Sequence, residues 1–578
     1  MKLKLFLLFV IICTNSWLQS TTWHIKQDGS GDFITIQEGI DASVDADTVL
    51  VYPGRYYENI NYNGQNITVA SLELITGDES YIGNTIIDGN QQGTCVCFDS
   101  EENGAILRGF SITNGIGDIM YGEINRLGGG ILVFTHFQSL TINVYIINSR
   151  IYENRAVLGG GIFVDESNVT FSGVSIYNNY ACSGGGISVV EESNITFDPS
   201  NLCNLYNNFA GLALDISVSD AINDIYVIVD TFSVQDQFEY FAFYQHSYTS
   251  SGNITINSQN HYIERINSDF YISTTGDDCN SGLTPEEPIR SIALALQKIE
   301  SDSLNPKTVF VESGIYSYEL NNQILPLAGK SFVNIIGENM ETTIINNDLT
   351  AYTFMMVNKV QNSLRNFTLV SEEQCLEASI YILESNNIEI ENLKVENSNI
   401  YLSGSVYFYR CFNVVIDNLI VQNNVSDGGS GFWFDGGNAI IRNSVFNNND
   451  SNGLHPFVSN FYFKSNDYLE LENCVFSNSN IEPTTEEFPT ISIGAQQDCE
   501  PIIKLSNCLF SNNSTIKSYI AIITSSGSRE INNCTFSENT SSFATLRIHS
   551  EVDFRNNIMY NNNVDYEILT GNITATGL

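Results

Sequence analysis

The chain has 578 residues, with 66 Asp and Glu against 24 Lys and Arg, for a formal net charge of −42. That excess opposes binding of nucleic acid, and it makes an acidic polymer an awkward partner unless a cation such as Ca²⁺ bridges the two. Asn, Ile, Ser, Gly and Tyr crowd the sequence while Pro is only 10 residues, a composition of strands and turns rather than long helices.

The chain opens with MKLKLFLLFVIICTNSWLQS, two lysines followed by an apolar run and then small polar residues. This reads as a secretory signal peptide over 1–20, too short to span a bilayer, so the protein is expected to be secreted or held at a cell surface. Of 12 cysteines, Cys13 falls in this segment and leaves an odd number, which excludes complete intramolecular pairing.

A first domain is expected over 21–265. It begins with KQDGSGDFITIQEGI (26–40): a Gly-rich turn, then a short amphipathic helix with Ile36 and Ile40 on one face, followed by the strand TVLVYP. Such a helix covers the open edge of a first coil. Next come the paired phrases LGGGIFV and SGGGISV, with Gly159 and Gly184 25 apart, interleaved with IYENR, IYNNY and LYNNF. After each Gly triplet stands an acidic pair, and a shift of 26 sets Asp165 and Glu166 against Glu191 and Glu192. Stacked carboxylates repel, which a bound Ca²⁺ relieves; plain solvation is the alternative. The aromatic segment TFSVQDQFEYFAFYQHSY breaks the repeat and marks the end of this domain.

A second domain is expected over 266–578. FYISTTGDDCNSGLTPEEPIRSIALALQKI again offers a strand, a polar Gly turn and a helix, and the adjacent Asp277 and Asp278 read as turn formers. One phrase then recurs, IENLKVENS, IDNLIVQNN, IRNSVFNNN, LENCVFSNS, LSNCLFSNN, INNCTFSEN and FRNNIMYNN, pivoting on Asn392, Asn418, Asn443, Asn473, Asn507, Asn533 and Asn556. A period near 25 with alternating apolar residues holds about three short strands and their turns, one coil of a parallel β-helix. Helical periodicity is absent, and a propeller blade would need about 40 residues with hairpin signals. Cys474, Cys508 and Cys534 fall at one repeat position and read as small buried residues. The fold expected is all-β: a right-handed parallel β-helix in two tandem stacks, each opened by a short helical cap. One further coil, VDYEILTGNITATGL, follows the last phrase, so a partner or further chain is expected to close that end.

Stacking also places equivalent outward side chains in columns. Aligning coils on Asn418 and Asn443 sets Tyr407, Phe408, Tyr409 and Arg410 beneath Phe432, Trp433, Phe434 and Asp435, with Phe461 to Lys464 in the next coil. With Phe432 and Phe434 inward, the exposed aromatic column is Phe408, Trp433 and Tyr462, flanked by Arg410, Asp435 and Lys464. Aromatic faces beside alternating charges suit a sugar polymer. In an enzyme, Arg410 or Lys464 would serve as base, and Asp427 or Asp435 would hold Ca²⁺. A plain aromatic ladder closed by ion pairs remains open, and a one-residue slip would exchange the buried and exposed faces.

At KQDGSGDFITIQEGI the chain resembles the start of pectin methylesterases, and TTGDDCNSGLTPEEPIRSI resembles the N-terminal region of β-helical polysaccharide lyases. The GGGI phrases resemble repeats of polymorphic outer-membrane proteins. Together these likenesses imply the pectin lyase-like superfamily. The paired aspartates and Arg of the esterases, in a phrase like DFIFG, have no match here, nor does the Gly-His-Gly of polygalacturonases. The function expected is surface display or glycan binding and adhesion, with a polysaccharide lyase or another pectin-type carbohydrate-active enzyme as the alternative, and an esterase behind both. The partner expected is a polysaccharide or cell-surface glycan; no cofactor is certain, Ca²⁺ being the candidate.

Overall fold

The computed structural model describes residues 20–576 apart from 101, 120–125, 136–141, 220–223, 236–239, 246–252, 348–351, 372–373, 376–377, 401–403, 427–430, 452–460, 466, 482–488, 496–498, 516–518, 525–527, 550–551, 565 and 571–572. The signal-peptide reading and Asp427 therefore lie outside the described residues.

Short strands wind into a right-handed parallel β-helix of about 18 turns. In the first stack three parallel sheets of 7, 8 and 7 strands run from Thr22–Ile25 to Ile254–His261. In the second, 27 strands from Phe270–Ile272 to Ile573–Thr576 join in one continuous sheet beside a separate ladder of 6 short strands. Like residues stack on like: Ile131, Ile162, Ile187 and Ile216 stand in register, as do Val133, Val164, Val189 and Val218. Every second residue of such a strand points inward, and these columns belong to one continuous hydrophobic core that runs from Ile25 to Phe554 through both stacks.

Asparagine makes the bends. Asn366, Asn392, Asn418, Asn443, Asn473, Asn507, Asn533 and Asn556 all adopt φ between 51° and 61°. Asn is the side chain best suited to this left-handed region after Gly. These amides also hold one another across coils, Asn418 Nδ2 to Asn392 Oδ1 at 2.9 Å and Asn473 Nδ2 to Asn443 Oδ1 at 3.1 Å. A second, interior series follows: Asn154 Nδ2 donates to Asn179 Oδ1 at 3.1 Å, Asn179 Nδ2 to Asn208 Oδ1 at 3.0 Å, and Asn208 Nδ2 to Asp215 Oδ1 at 2.9 Å. At the Gly triplets coils approach so closely that a Cβ on Gly160 would stand 2.4 Å from the Tyr180 carbonyl. Cys474, Cys508 and Cys534 are 0%, 2% and 0% exposed, inside the core.

Both caps are helices. Ile36–Ala42 starts with a capping box between Thr35 and Glu38, and the Glu58 carboxylate accepts from Ile36 N and Gln37 N at 3.0 Å each. A carboxylate there satisfies free N–H groups and the positive end of the helix dipole. Ile292–Lys298 is capped by Ser291, and Asp278 Oδ1 accepts from Arg290 N and Ser291 N at 3.0 and 2.8 Å. Asp277 closes its own turn through Cys279 N at 2.9 Å. This pair of carboxylates is spent on turn and cap.

The two stacks touch along their flanks. Strand Phe209–Leu212 packs on Leu327–Ala328 and Phe354–Val357. A Cβ on Gly211 would stand 2.8 Å from Met355 Sδ and 2.9 Å from Pro326 Cγ. Gln297 Nε2 donates to the Asn208 carbonyl at 3.0 Å, and Lys330 Nζ lies 4.6 Å over the Tyr240 ring while donating to Leu296 O and Ile299 O.

Candidate functional site

Four consecutive strand segments build the aromatic face: Ile380–Leu383, the start of Val406–Gln422, the start of Phe432–Arg442, and Phe461–Ser465. Their registers set Tyr381, Tyr407, Trp433 and Tyr462 in one column, and Leu383, Tyr409, Asp435 and Lys464 in a second. All eight are partly exposed. Between the columns Ile382, Phe408, Phe434 and Phe463 point into the core at 0% exposure each.

Phe408 is therefore not a surface residue, and Tyr407 holds the place expected for it. The step from Tyr407 to Trp433 is 26, whereas beyond a register shift between Cys411 and Val414 the step becomes 25, as in Val414 to Ala439. That irregularity absorbs one residue, so an alignment anchored on Asn418 and Asn443 misplaces the strand before it by one. The same slip moves Arg410. It sits at a left-handed turn with φ 50°, opposite Gly436 rather than Asp435, and pairs with Glu384 at 3.5 Å. Trp433, Tyr462, Asp435 and Lys464 stand on the expected face.

The column is stacked ring on ring. Centroids of Tyr381 and Tyr407 are 5.0 Å apart, those of Tyr407 and Trp433 6.3 Å, and those of Trp433 and Tyr462 3.9 Å, with interplanar angles of 16°, 11° and 17°. Ring faces are thus largely occupied by their neighbours, and solvent meets ring edges and phenol hydroxyls. Burial, with Asp435 and Tyr407 nearby, pushes the Tyr462 phenol well up, so it stays a neutral donor. Lys464 Nζ lies 5.4 Å over the Tyr462 ring, and the Arg410 guanidinium 4.9 Å over that of Tyr409. The surface offers a row of hydroxyl and edge contacts beside a row of mixed charge.

In the first stack the acidic pairs are set one residue differently from the expected shift. Asp165 pairs with Val190, and Glu166 and Glu191 occupy equivalent left-handed turns with φ 44° and 53°. Burial first, then Glu191 and Glu166, raise the Asp165 carboxyl to about 7. Glu192 is exposed beside Glu191. Among the described residues no three His, Cys, Asp or Glu side chains converge as a metal site.

A further column escaped sequence reasoning: Tyr152, Tyr177, Tyr206 and Tyr262, stacked at 5.3, 5.5 and 4.6 Å on the first stack. Its signal was present, since the phrases IYENR, IYNNY and LYNNF repeat one Tyr at one coil position.

A family model described as a protein of unknown function (DUF1565) matches residues 274–482, the part of the second stack that carries the aromatic face. No curated protein matches the chain. Among solved structures, a PL6-family alginate lyase, AlyGC, is 9% identical with 93% of this chain and 98% of that one covered, at a TM-score of 0.22. A variant of sacteLam55A from Streptomyces sp. SirexAA-E, in complex with glucose, is 10% identical with 95% of each chain covered, at a TM-score of 0.23. Values this low carry nothing about a site or a reaction.

Proposed function

We propose that this chain is an exported β-helix protein that holds a polysaccharide against the outer face of its second stack, as a glycan-binding or surface-display module. The observation that carries this reading is the pair of outward columns, Tyr381, Tyr407, Trp433 and Tyr462 beside Tyr409, Asp435 and Lys464. Coils repeat about every 4.8 Å, similar to the repeat of an extended sugar chain, so successive rungs can meet successive sugars with the same kind of contact. Ring edges and phenols pack against and hydrogen-bond hydroxyls, while Asp435, Lys464 and the Arg410–Glu384 pair fix polar substituents.

The test is a panel of immobilised polysaccharides, including pectate and alginate with Ca²⁺, probed with the wild type and with Trp433→Ala and Lys464→Ala. Binding to one glycan class, weakened roughly tenfold by either substitution, is the expected result. Binding that ignores both substitutions removes the face from the account. Unsaturated products, detected by ultraviolet absorbance, would replace binding with lyase chemistry.

A further inference from the structure

The first stack ends on the strand Ile254–His261, paired in parallel with Ile225–Phe232 on one side. Among the described residues nothing pairs with its other edge. Its inward residues Ile254, Ile256 and Ser258 are only half-covered, and those between them are exposed. Soluble proteins ordinarily guard such an edge with Lys, Pro, a bulge or a covering helix. Here each stack is guarded at its start by a helix, yet ITINSQNH contains no Asp, Glu, Lys, Arg or Pro.

Charge says what meets this edge. With a net charge of −42, two copies repel over most of their surface, and an acid-free eight-residue edge is where they approach at least cost. Two carboxylates on the preceding coil are engaged here: Asp224 Oδ1 accepts from N of Asn253, the residue before the strand, at 3.0 Å, and Asp230 Oδ1 from Asn260 Nδ2 at 3.2 Å.

We infer that Ile254–His261 is a self-association edge, joining two copies by antiparallel pairing about a two-fold axis. For both cores to lie on one side of the joined sheet, inward residues must oppose inward residues. A register centred on Ile256 does this, setting Ile256 against Ile256, Ile254 against Ser258, and Thr255 against Asn257, with no like charges opposed. The half-covered isoleucines then gain a covering layer, and an isologous contact closes at two copies.

Sedimentation velocity of the full chain across a concentration series tests this. The expected result is a reversible monomer–dimer equilibrium that strengthens as salt screens the net charge, with hydrogen exchange over 254–261 slowing as the dimer forms. The double substitution Thr255→Lys and Asn257→Lys, at exposed positions that leave the core alone, opposes cations across the axis and is expected to weaken the dimer roughly tenfold or more. Monomers at every concentration, a dimer indifferent to the two lysines, or open-ended polymers overturn the inference.

Discussion

Asparagine does two separate jobs in this chain, and adjacent letters divide them. In the phrase ending NN the first Asn takes the left-handed bend and the second turns inward, as Asn448 (φ 52°) and the buried Asn449 do. Both jobs are legible in the sequence, because the residue recurs wherever a coil turns. The end of the interior ladder in the first stack is not, because Asp215 belongs to no repeated phrase. It is fully buried, accepts from Asn208, and burial raises its carboxyl from the ordinary 3.8 to about 7. Between those two values the folded state keeps a proton that the unfolded state has lost. Stability from this group is therefore fully present at low pH and declines as pH rises toward 7. Asp215→Asn, which retains the accepting Oδ1, is expected to melt a few degrees higher than the wild type at pH 8 and level with it near pH 4. Thermal unfolding at the two pH values checks this, and an offset that does not change with pH counts against it.

At the scale of elements the lesson is register. Strand alternation was readable in every phrase, and so were both cap helices, from their Gly turns and apolar spacing. The phase of the aromatic strand was not readable, because the shift between Cys411 and Val414 changes the step from 26 to 25 within one strand, Val406–Gln422. Bulges are set by backbone geometry on both coils, here beside Gly437, whose φ is 105°, and an alignment anchored on one turn passes over them. The consequence is measurable on neighbouring residues. Phe408→Ala opens a cavity among Phe432, Phe434 and the surrounding core and is expected to cost about 3–5 kcal/mol. Tyr407→Ala, on the outer face, is expected to cost about 1 kcal/mol, from lost stacking alone. Denaturant unfolding of the two variants ranks them, and the reverse ranking would mean that the faces are exchanged.

For the whole molecule two capped stacks are the expectation from sequence, and in the structure the strand Phe209–Leu212 packs on Leu327–Ala328 and Phe354–Val357. The repeated phrase LYNNF reaches that contact through Asn208 and Phe209, but its partners are single residues outside any repeated phrase, such as Gln297, Met355 and Lys330, with Gly211 beside them. Because Gly211 leaves no room for a side chain, Gly211→Val is expected to part the stacks while leaving each coil intact. Small-angle scattering would then show a larger radius of gyration with an unchanged far-ultraviolet dichroism spectrum; an unchanged radius would mean that the flank absorbs the extra volume. The outer face around Trp433 is proposed to hold glycan, and its indole offers a direct reading. Trp17 lies in the segment expected from sequence to be a signal peptide and Trp23 in the first coil, so in a Trp23→Phe variant that begins at Ser20 Trp433 is the only remaining indole. Titration with oligosaccharides from the polymer bound best is predicted to change its emission saturably, with Asp435→Ala weakening the response roughly tenfold. Binding that leaves the Trp433 emission unmoved and survives both Tyr407→Ala and Asp435→Ala would contradict the account.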